Sequence, residues 1–273
     1  MKYEIRELSV GGILDQAIKV ITDNFGVLLT IMCVLQLPLG IASAVVTNAY
    51  IGNGQDMERM MQAATDPSFS MIMMILGLLS LAAAPITNAA LVSAIAKAYL
   101  GQKPSVGESF SRAMGKIVPL FLTWILVGLA IMGGFILLII PGILCIIWFA
   151  LATQVVVLEP KSGAAALGRS KELMRGYAGK WFVLMIVLFV IGAGIGLASQ
   201  SIGGMTGNAL IAGLFSTVGQ ILAGLFSSAV LVVLYFSARC THENFDLELL
   251  ASSFGEQAPT AENTTDDDVW SES

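Results

Sequence analysis

Long apolar runs alternate with short polar segments along the whole chain, and the lengths of the runs decide how they are read. Uncharged or nearly uncharged stretches occupy Phe25 to about Asn48, about 70–96, 117–136, 138–158, 181–200 and 211–237. Each is close to the roughly 20 residues that a helix needs to cross the hydrocarbon of a bilayer. Residues 1–24 behave differently. From Ser9 onward, Val10, Ile13, Leu14, Ala17, Ile18 and Ile21 recur at helical spacing, with Asp15, Gln16, Lys19 and Thr22 opposite them. That pattern predicts an amphipathic helix too short to span and suited to the membrane interface. Pro38, Pro85 and Pro141-Gly142 fall inside apolar runs and predict kinks or breaks.

Two further amphipathic segments separate the runs. In Pro104-Ser105-Val106-Gly107-Glu108 the serine and the acid three residues on have the spacing of a capping box. The apolar stripe Val106, Phe110, Ala113, Met114, Ile117 follows it. Between spans four and five, Ser162–Ala178 places Leu167, Ser170, Leu173, Met174 and Tyr177 on one side, with Arg169, Lys171, Glu172 and Arg175 on the other. Ser9-Val10-Gly11 and Ser105-Val106-Gly107 are the same triplet, and Ser162-Gly163-Ala164 has the same role. The chain thus reads as three units, each a surface helix followed by a two-span hairpin. The expected fold is all-α, with six transmembrane helices and three amphipathic helices on the cytoplasmic side.

Composition agrees with this. Hydrophobic residues make up 56% of the 273 and charged residues 12%, with a mean hydropathy of +0.82; soluble domains carry about 25% charged residues. The net charge of −5 belongs to the tail, because residues 251–273 hold Glu256, Glu262, Asp266, Asp267, Asp268 and Glu272 and no base. We therefore expect a membrane domain over 1–250 and an acidic, disordered tail over 251–273. Of the fourteen Lys and Arg, thirteen fall in the segments that share one side under this plan, and only Arg59 falls on the other. The positive-inside rule then places both termini in the cytoplasm. The first apolar run is too long for a cleavable signal. Cys33, Cys145 and Cys240 show no metal-ligand spacing and read as small core hydrophobes.

Candidate chemistry is sparse. His242 is the single histidine, and no P-loop, GxSxG, HExxH or CxxC occurs, so neither an enzyme nor a cofactor is expected. Within the spans only Gln36, Asn48, Asn88, Gln154, Gln200 and Gln220 are strongly polar, and they read as interhelical hydrogen-bond glue. The glycine series 192, 194, 196 and 213, 219, 224 reads as close helix packing. Arg169, Lys171, Arg175 and Lys180 form a basic cluster that sets topology and is suited to contact with anionic lipid or an acidic partner segment. Nucleic acid is not an expected partner; membrane lipid is, with a protein partner or a second copy left open.

Residues 139–182 and 235–250 carry a family resemblance. Pro141-Gly142-Ile143, the run to Val157-Leu158-Glu159, then Ala166-Leu167, Arg169-Ser170, Glu172-Leu173 and Arg175-Gly176 resemble the signature of a bacterial membrane-domain family named for glycerophosphoryl diester phosphodiesterases. Glu243-Asn244-Phe245-Asp246-Leu247-Glu248-Leu249-Leu250 is similar to its C-terminus. Two departures matter: relatives often carry Tyr and Arg where this chain has Leu144 and Trp148, and the phosphodiesterase domain is missing. The resemblance implies a six-span bacterial membrane module, similar to inner-membrane proteins without a catalytic domain, with Pro141, Gly142, Glu159, Ser170 and Gly176 as motif positions and no activity carried over. The expected role is a non-catalytic scaffold or regulatory module. The alternative is a small-molecule or lipid transporter. A solid glycine-packed interior would favour the scaffold, and polar residues lining one continuous cavity would favour transport.

Overall fold

In the computed structural model, which describes residues 3, 5–52, 57–243 and 245, the chain folds into helices in the order α1 (Val10–Asp23), α2 (Phe25–Ile51), α3 (Met57–Thr65), α4 (Pro67–Tyr99), α5 (Val106–Gly115), α6 (Ile117–Leu137), α7 (Ile139–Trp148), α8 (Ala152–Leu158), α9 (Gly163–Leu173), α10 (Ala178–Met205) and α11 (Ala209–Glu243). No strand occurs among the described residues. Six spans result, because α7 and α8 together form one of them, Ile139–Leu158. The chain is a multi-pass membrane protein. A short helix precedes each pair of spans: α1 before α2 and α4, α5 before α6 and α7–α8, α9 before α10 and α11. The acidic tail over 251–273 lies outside the described residues.

Local chemistry explains most boundaries. The Ser9 hydroxyl accepts from the Gly12 N–H at 3.2 Å and starts α1. Asp66 accepts from the Ser68 N–H at 2.7 Å, with Pro67 at the first helical position, and starts α4. The capping box at Ser105 does not form. The Ser105 side chain makes no cap bond, and Glu108 pairs with Lys97 and Arg112 instead. Two cations draw a carboxylate more strongly than one backbone N–H. Nor do Pro38 and Pro85 break their helices, since α2 and α4 run through them. Pro141 sits in the first turn of α7, where a missing N–H disturbs little. The interruption in span four lies further on, at Phe149–Leu151.

The two ends of the bundle are built differently. At the end that gathers the N-terminal segment, α5, α9 and the C-terminal part of α11 (the basic end), side chains interlock in one core. Ile13, Ala17 and Val20 of α1, Leu91 and Ile95 of α4, Leu173 of α9 and Val233 of α11 all have no exposed surface. α1 is therefore a packed element; the Leu8 N–H donates to Ser237 Oγ of α11 at 3.0 Å. At the opposite, far end the spans diverge. Met71, Met74, Leu78 and Leu81 of α4 and the hairpin tip Ile136–Ile140 are exposed. There α2, α10 and α11 meet through small residues: a Cβ on Gly40 would lie 2.3 Å from Thr217, one on Gly213 2.6 Å from Ala44, and one on Gly219 2.3 Å from Ser199. The expected packing role holds for Gly213, Gly219 and Gly224 but not for Gly192, Gly194 and Gly196, which have nothing within 4 Å.

Candidate functional site

The basic end is organised around the break in span four. Where α7 stops and α8 begins, backbone groups lose their helical partners inside a region without water, where each would cost several kcal/mol. Ser170 of α9 supplies the missing bonds. Its hydroxyl donates to the Trp148 carbonyl at 2.7 Å and accepts from the Leu151 N–H at 3.2 Å, and the residue is fully buried. A hydroxyl that both donates and accepts suits such a gap. The α6–α7 hairpin needs Gly142 for another reason. Its Cα lies 2.9 Å from where a Cβ on Gly134 would sit, and a Cβ on Gly142 would strike the Phe135 ring.

Below the break, Glu159 ends α8 and meets Arg169 of α9. Arg169 Nε lies 3.2 Å from both oxygens of Glu159, its Nη1 is 3.2 Å from Glu172, and its Nη2 pairs with Glu243 at the end of α11. Tyr235 of α11 donates to Glu159 at 2.9 Å, Lys161 adds a 3.5 Å contact, and Arg239 Nε reaches Glu243 at 2.8 Å. Arg169 is thus turned inward, with 9% of its side chain exposed, and clamps the ends of α8, α9 and α11 together. Burial alone would lower its pKa, but the carboxylates of Glu243, Glu159 and Glu172 outweigh burial and hold it above the ordinary arginine value. The amphipathic assignment of α9 put Arg169 on the outward face. At 3.6 residues per turn it lies beside the apolar stripe, and the two carboxylates from other elements draw it inward.

The other expected site residues are dispersed. Lys171 lies with its ammonium 4.2 Å above the Trp148 ring. Lys180 pairs with Glu7 at 2.6 Å and covers the Tyr177 ring, and its ammonium holds Glu7 below the usual carboxylate range. Only the exposed Arg175 has no side-chain partner among the described residues. Gly176 takes φ +84°, a left-handed turn between α9 and α10, and nothing lies near its Cα for a neighbouring helix to approach. Met174, on the side of this segment shared with Leu173 and Tyr177, is buried in the core. His242 is tied to the same turn, with Nε2 3.1 Å from the Arg175 carbonyl.

Two features of this end were missed from sequence. Lys116 had been counted only as a topological charge. Its ammonium donates to the carbonyls of Val156, Val157 and Glu159 at 2.6, 2.9 and 3.0 Å and closes the C-terminus of α8. Burial pushes its pKa down, and Arg112 adds to the effect. The second feature is a cavity of about 310 Å³ between α4, α5, α8 and α11. Lys97, Arg112 and Arg239 line it, with Leu100, Leu158 and Phe236, and no carboxylate belongs to its described lining. Lys–Glu spacing could have found the Lys97–Glu108 pair only if α4 and α5 were already known to pack together.

One family profile, "Domain of unknown function (DUF8558)", matches residues 109–270, more than half of the chain. The chain belongs to this family. The DUF8558 region takes in the break in span four, Ser170, the Glu159–Arg169–Glu243 clamp and Lys116, so the whole clamp lies within it; Lys97 and α1–α4 lie outside. No curated protein matches the chain, and no solved structure matches it.

Proposed function

We propose that the chain is a non-catalytic module of a bacterial cytoplasmic membrane, with both termini cytoplasmic, whose basic end holds the headgroup of an anionic lipid. The orientation rests on thirteen of fourteen Lys and Arg falling, along the sequence, in the segments that share one side of the six-span plan, and the bacterial membrane on the resemblance of residues 139–182 and 235–250. The lipid reading is carried by one observation, the cavity lined by Lys97, Arg112 and Arg239. Its cations sit beside Leu100, Leu158 and Phe236 at the level where spans emerge, and a lipid presents a charged head and an apolar chain in the same arrangement. An acidic protein segment would match the charges but not the apolar wall. Glu108 and Glu243 partly offset the three cavity cations. Arg169, Lys171 and Lys180 lie outside the cavity lining and contribute to shape more than to recognition.

The test is lipid retention. Purified in mild detergent from membranes containing phosphatidylglycerol, cardiolipin and phosphatidylethanolamine, the protein should retain the anionic lipids preferentially. Each cation near the surface is worth about 1 kcal/mol. Arg112→Gln, a largely exposed position, should therefore reduce anionic retention by about fivefold, and Arg112→Gln with Lys97→Gln by more, while Arg175→Gln leaves it unchanged. Unchanged retention in both correctly inserted cavity variants would overturn the proposal. A second reading, small-molecule transport, is favoured by one different observation at the far end.

A further inference from the structure

The far end contains a cavity in two lobes, and its chemistry differs from that of everything around it. The upper lobe, about 430 Å³, lies between α2, α10 and α11 and reaches the α10–α11 turn at Gly207 and Asn208. The deeper lobe, about 270 Å³, lies between α2, α4 and α11 and reaches Gln36 and Ser80. Ser43, Thr217 and Gln220 line both lobes, so the two adjoin there. Gln36 is fifteen residues from the far end of α2, about 22 Å at helical rise, more than half of the roughly 30 Å of hydrocarbon. Below Gln36 the way is shut by Leu28, Met32, Leu225 and Ala229, none more than 2% exposed.

The upper lobe has apolar walls that include Ala44, Ile51 and Met60. The junction and the deeper lobe are lined mainly by polar side chains, and neither described lining carries an ionisable group. Ser43, Ser80 and Thr217 donate to the carbonyls of Gly40, Leu76 and Gly213 on their own helices at 2.9, 2.8 and 2.8 Å. Their protons are engaged locally and their oxygens remain acceptors. The amides of Gln36, Gln200 and Gln220 have no hydrogen-bond partner among the described residues. The expectation that polar span residues act as interhelical glue holds at Asn88, which accepts from Ser228 at 3.2 Å, and fails at these three. An amide at membrane depth without a partner costs several kcal/mol. Gln36 is half-buried, while Gln220, eleven residues into α11, and Gln200, five residues from the end of α10, are exposed. The two deeper amides, Gln36 and Gln220, around one hollow therefore call for something in it that both donates and accepts hydrogen bonds. Charge is disfavoured, because no counter-charge lines the lobes.

We propose that the two lobes form one binding site for a small uncharged solute rich in hydroxyl or amide groups, entered from the far end. Ser43, Thr217 and Gln220 hold it at the junction, and Gln36 and Ser80 receive it at the bottom. Close contacts of Gly40 with Thr217 and of Gly213 with Ala44 fix α2 against α11 beside the junction. The site does not depend on lipid binding at the basic end.

The experiment uses the full chain in nanodiscs, with Cys33, Cys145 and Cys240 changed to Ala. Single variants Ser43→Cys, Asn208→Cys and Ile41→Cys are treated with uncharged hydroxyethyl methanethiosulfonate. Ile41 is on the same helix as Ser43 but faces outward. Ser43→Cys should react at a rate comparable with Asn208→Cys, while Ile41→Cys stays unlabelled. Sorbitol or urea should slow Ser43→Cys several-fold without slowing Asn208→Cys, and sodium phosphate should slow neither. Adding Gln36→Leu and Gln220→Leu should keep the labelling and abolish the protection. Labelling of Ser43→Cys in detergent but not in nanodiscs would mean that lipid or a second copy fills the seam, and would overturn the proposal. Labelling that neither sorbitol nor urea slows would overturn it equally, leaving a hollow that holds only water.

Discussion

The two ends of this bundle treat polar groups in opposite ways. At the basic end the main buried polar clusters have assigned partners: Ser170 bridges the break in span four, Lys116 caps three carbonyls, and Arg169 meets three carboxylates. Gln16, Gln154 and Trp181 are exceptions, each with a buried side-chain polar atom that has no partner among the described residues. At the far end polar side chains surround space, glycines make the helix contacts, and long apolar faces of α4 and α6–α7 are bare. A membrane protein that only had to stand in the bilayer would not need amides at mid-depth without partners. Under the two proposals the basic end serves anchoring and shape and the far end solute contact, and the contrast can be broken by mutation.

The largest effect should come from Arg169→Met. It leaves Glu159 and Glu243 without their shared cation. Breaking a fully buried pair costs about 3–5 kcal/mol. This part-buried one, with Lys161 and Arg239 still beside the carboxylates, should fall near the lower end of that range. The expected outcome is a steep drop in the detergent melting temperature, partly restored by adding Glu159→Gln. A melting temperature within error of the parent would show that the clamp holds nothing together.

A middle-sized effect tests the far end. The new methyl of Gly213→Ala meets Ala44 Cβ at 2.6 Å and its Cα at 3.1 Å, so α2 and α11 must separate. Overpacking of this kind costs about 1–3 kcal/mol. Gly192→Ala, with nothing within 4 Å, should be neutral or stabilising by up to about 1 kcal/mol through helix propensity. If the two variants melt alike, the far end is too loose for glycine contacts to define its cavity.

Much of this was legible in the chain and some was not, for reasons that can be stated. Spans follow from length and hydropathy alone, so their number, order and the three preceding surface helices could be read directly. The apolar face of α9 was legible from its period. The direction of Arg169 was not, because its partners Glu159 and Glu243 come from a loop and from a helix end 74 residues away. The role of Ser170 depends on a break at Phe149–Leu151 that no proline or glycine marks, whereas the visible prolines, Pro38 and Pro85, break nothing. Helix α3 was hidden in a segment that reads as polar loop, although Asp66-Pro67 signals the helix after it. The cavity was invisible because six amides in apolar runs look alike until the helices are packed, and only packing separates Asn88, which finds Ser228, from Gln36, which finds no protein partner.

The smallest effect is set by acid. Glu108 lies below the usual carboxylate range chiefly through its bond to Lys97, with Arg112 contributing, and Glu7 lies below it through Lys180. A carboxyl whose pKa is depressed in the fold binds fewer protons there than in the unfolded chain. The stability it supplies is therefore complete above the ordinary value of 4.5 and is lost as pH falls through the depressed range. Both groups are exposed and screened, so the loss should loosen the basic end without unfolding the bundle. Cys240, buried at that end, reports on it. In a background with Cys33→Ala and Cys145→Ala, reaction of Cys240 with a pyridyl disulfide, which works in acid, should accelerate several-fold as pH drops below 4.5. Glu7→Gln with Glu108→Gln should react faster at neutral pH and respond less to acid, while labelling of Ser43→Cys at the far end stays flat. Acceleration of the same size in the double variant would assign the acid response to carboxylates other than these two.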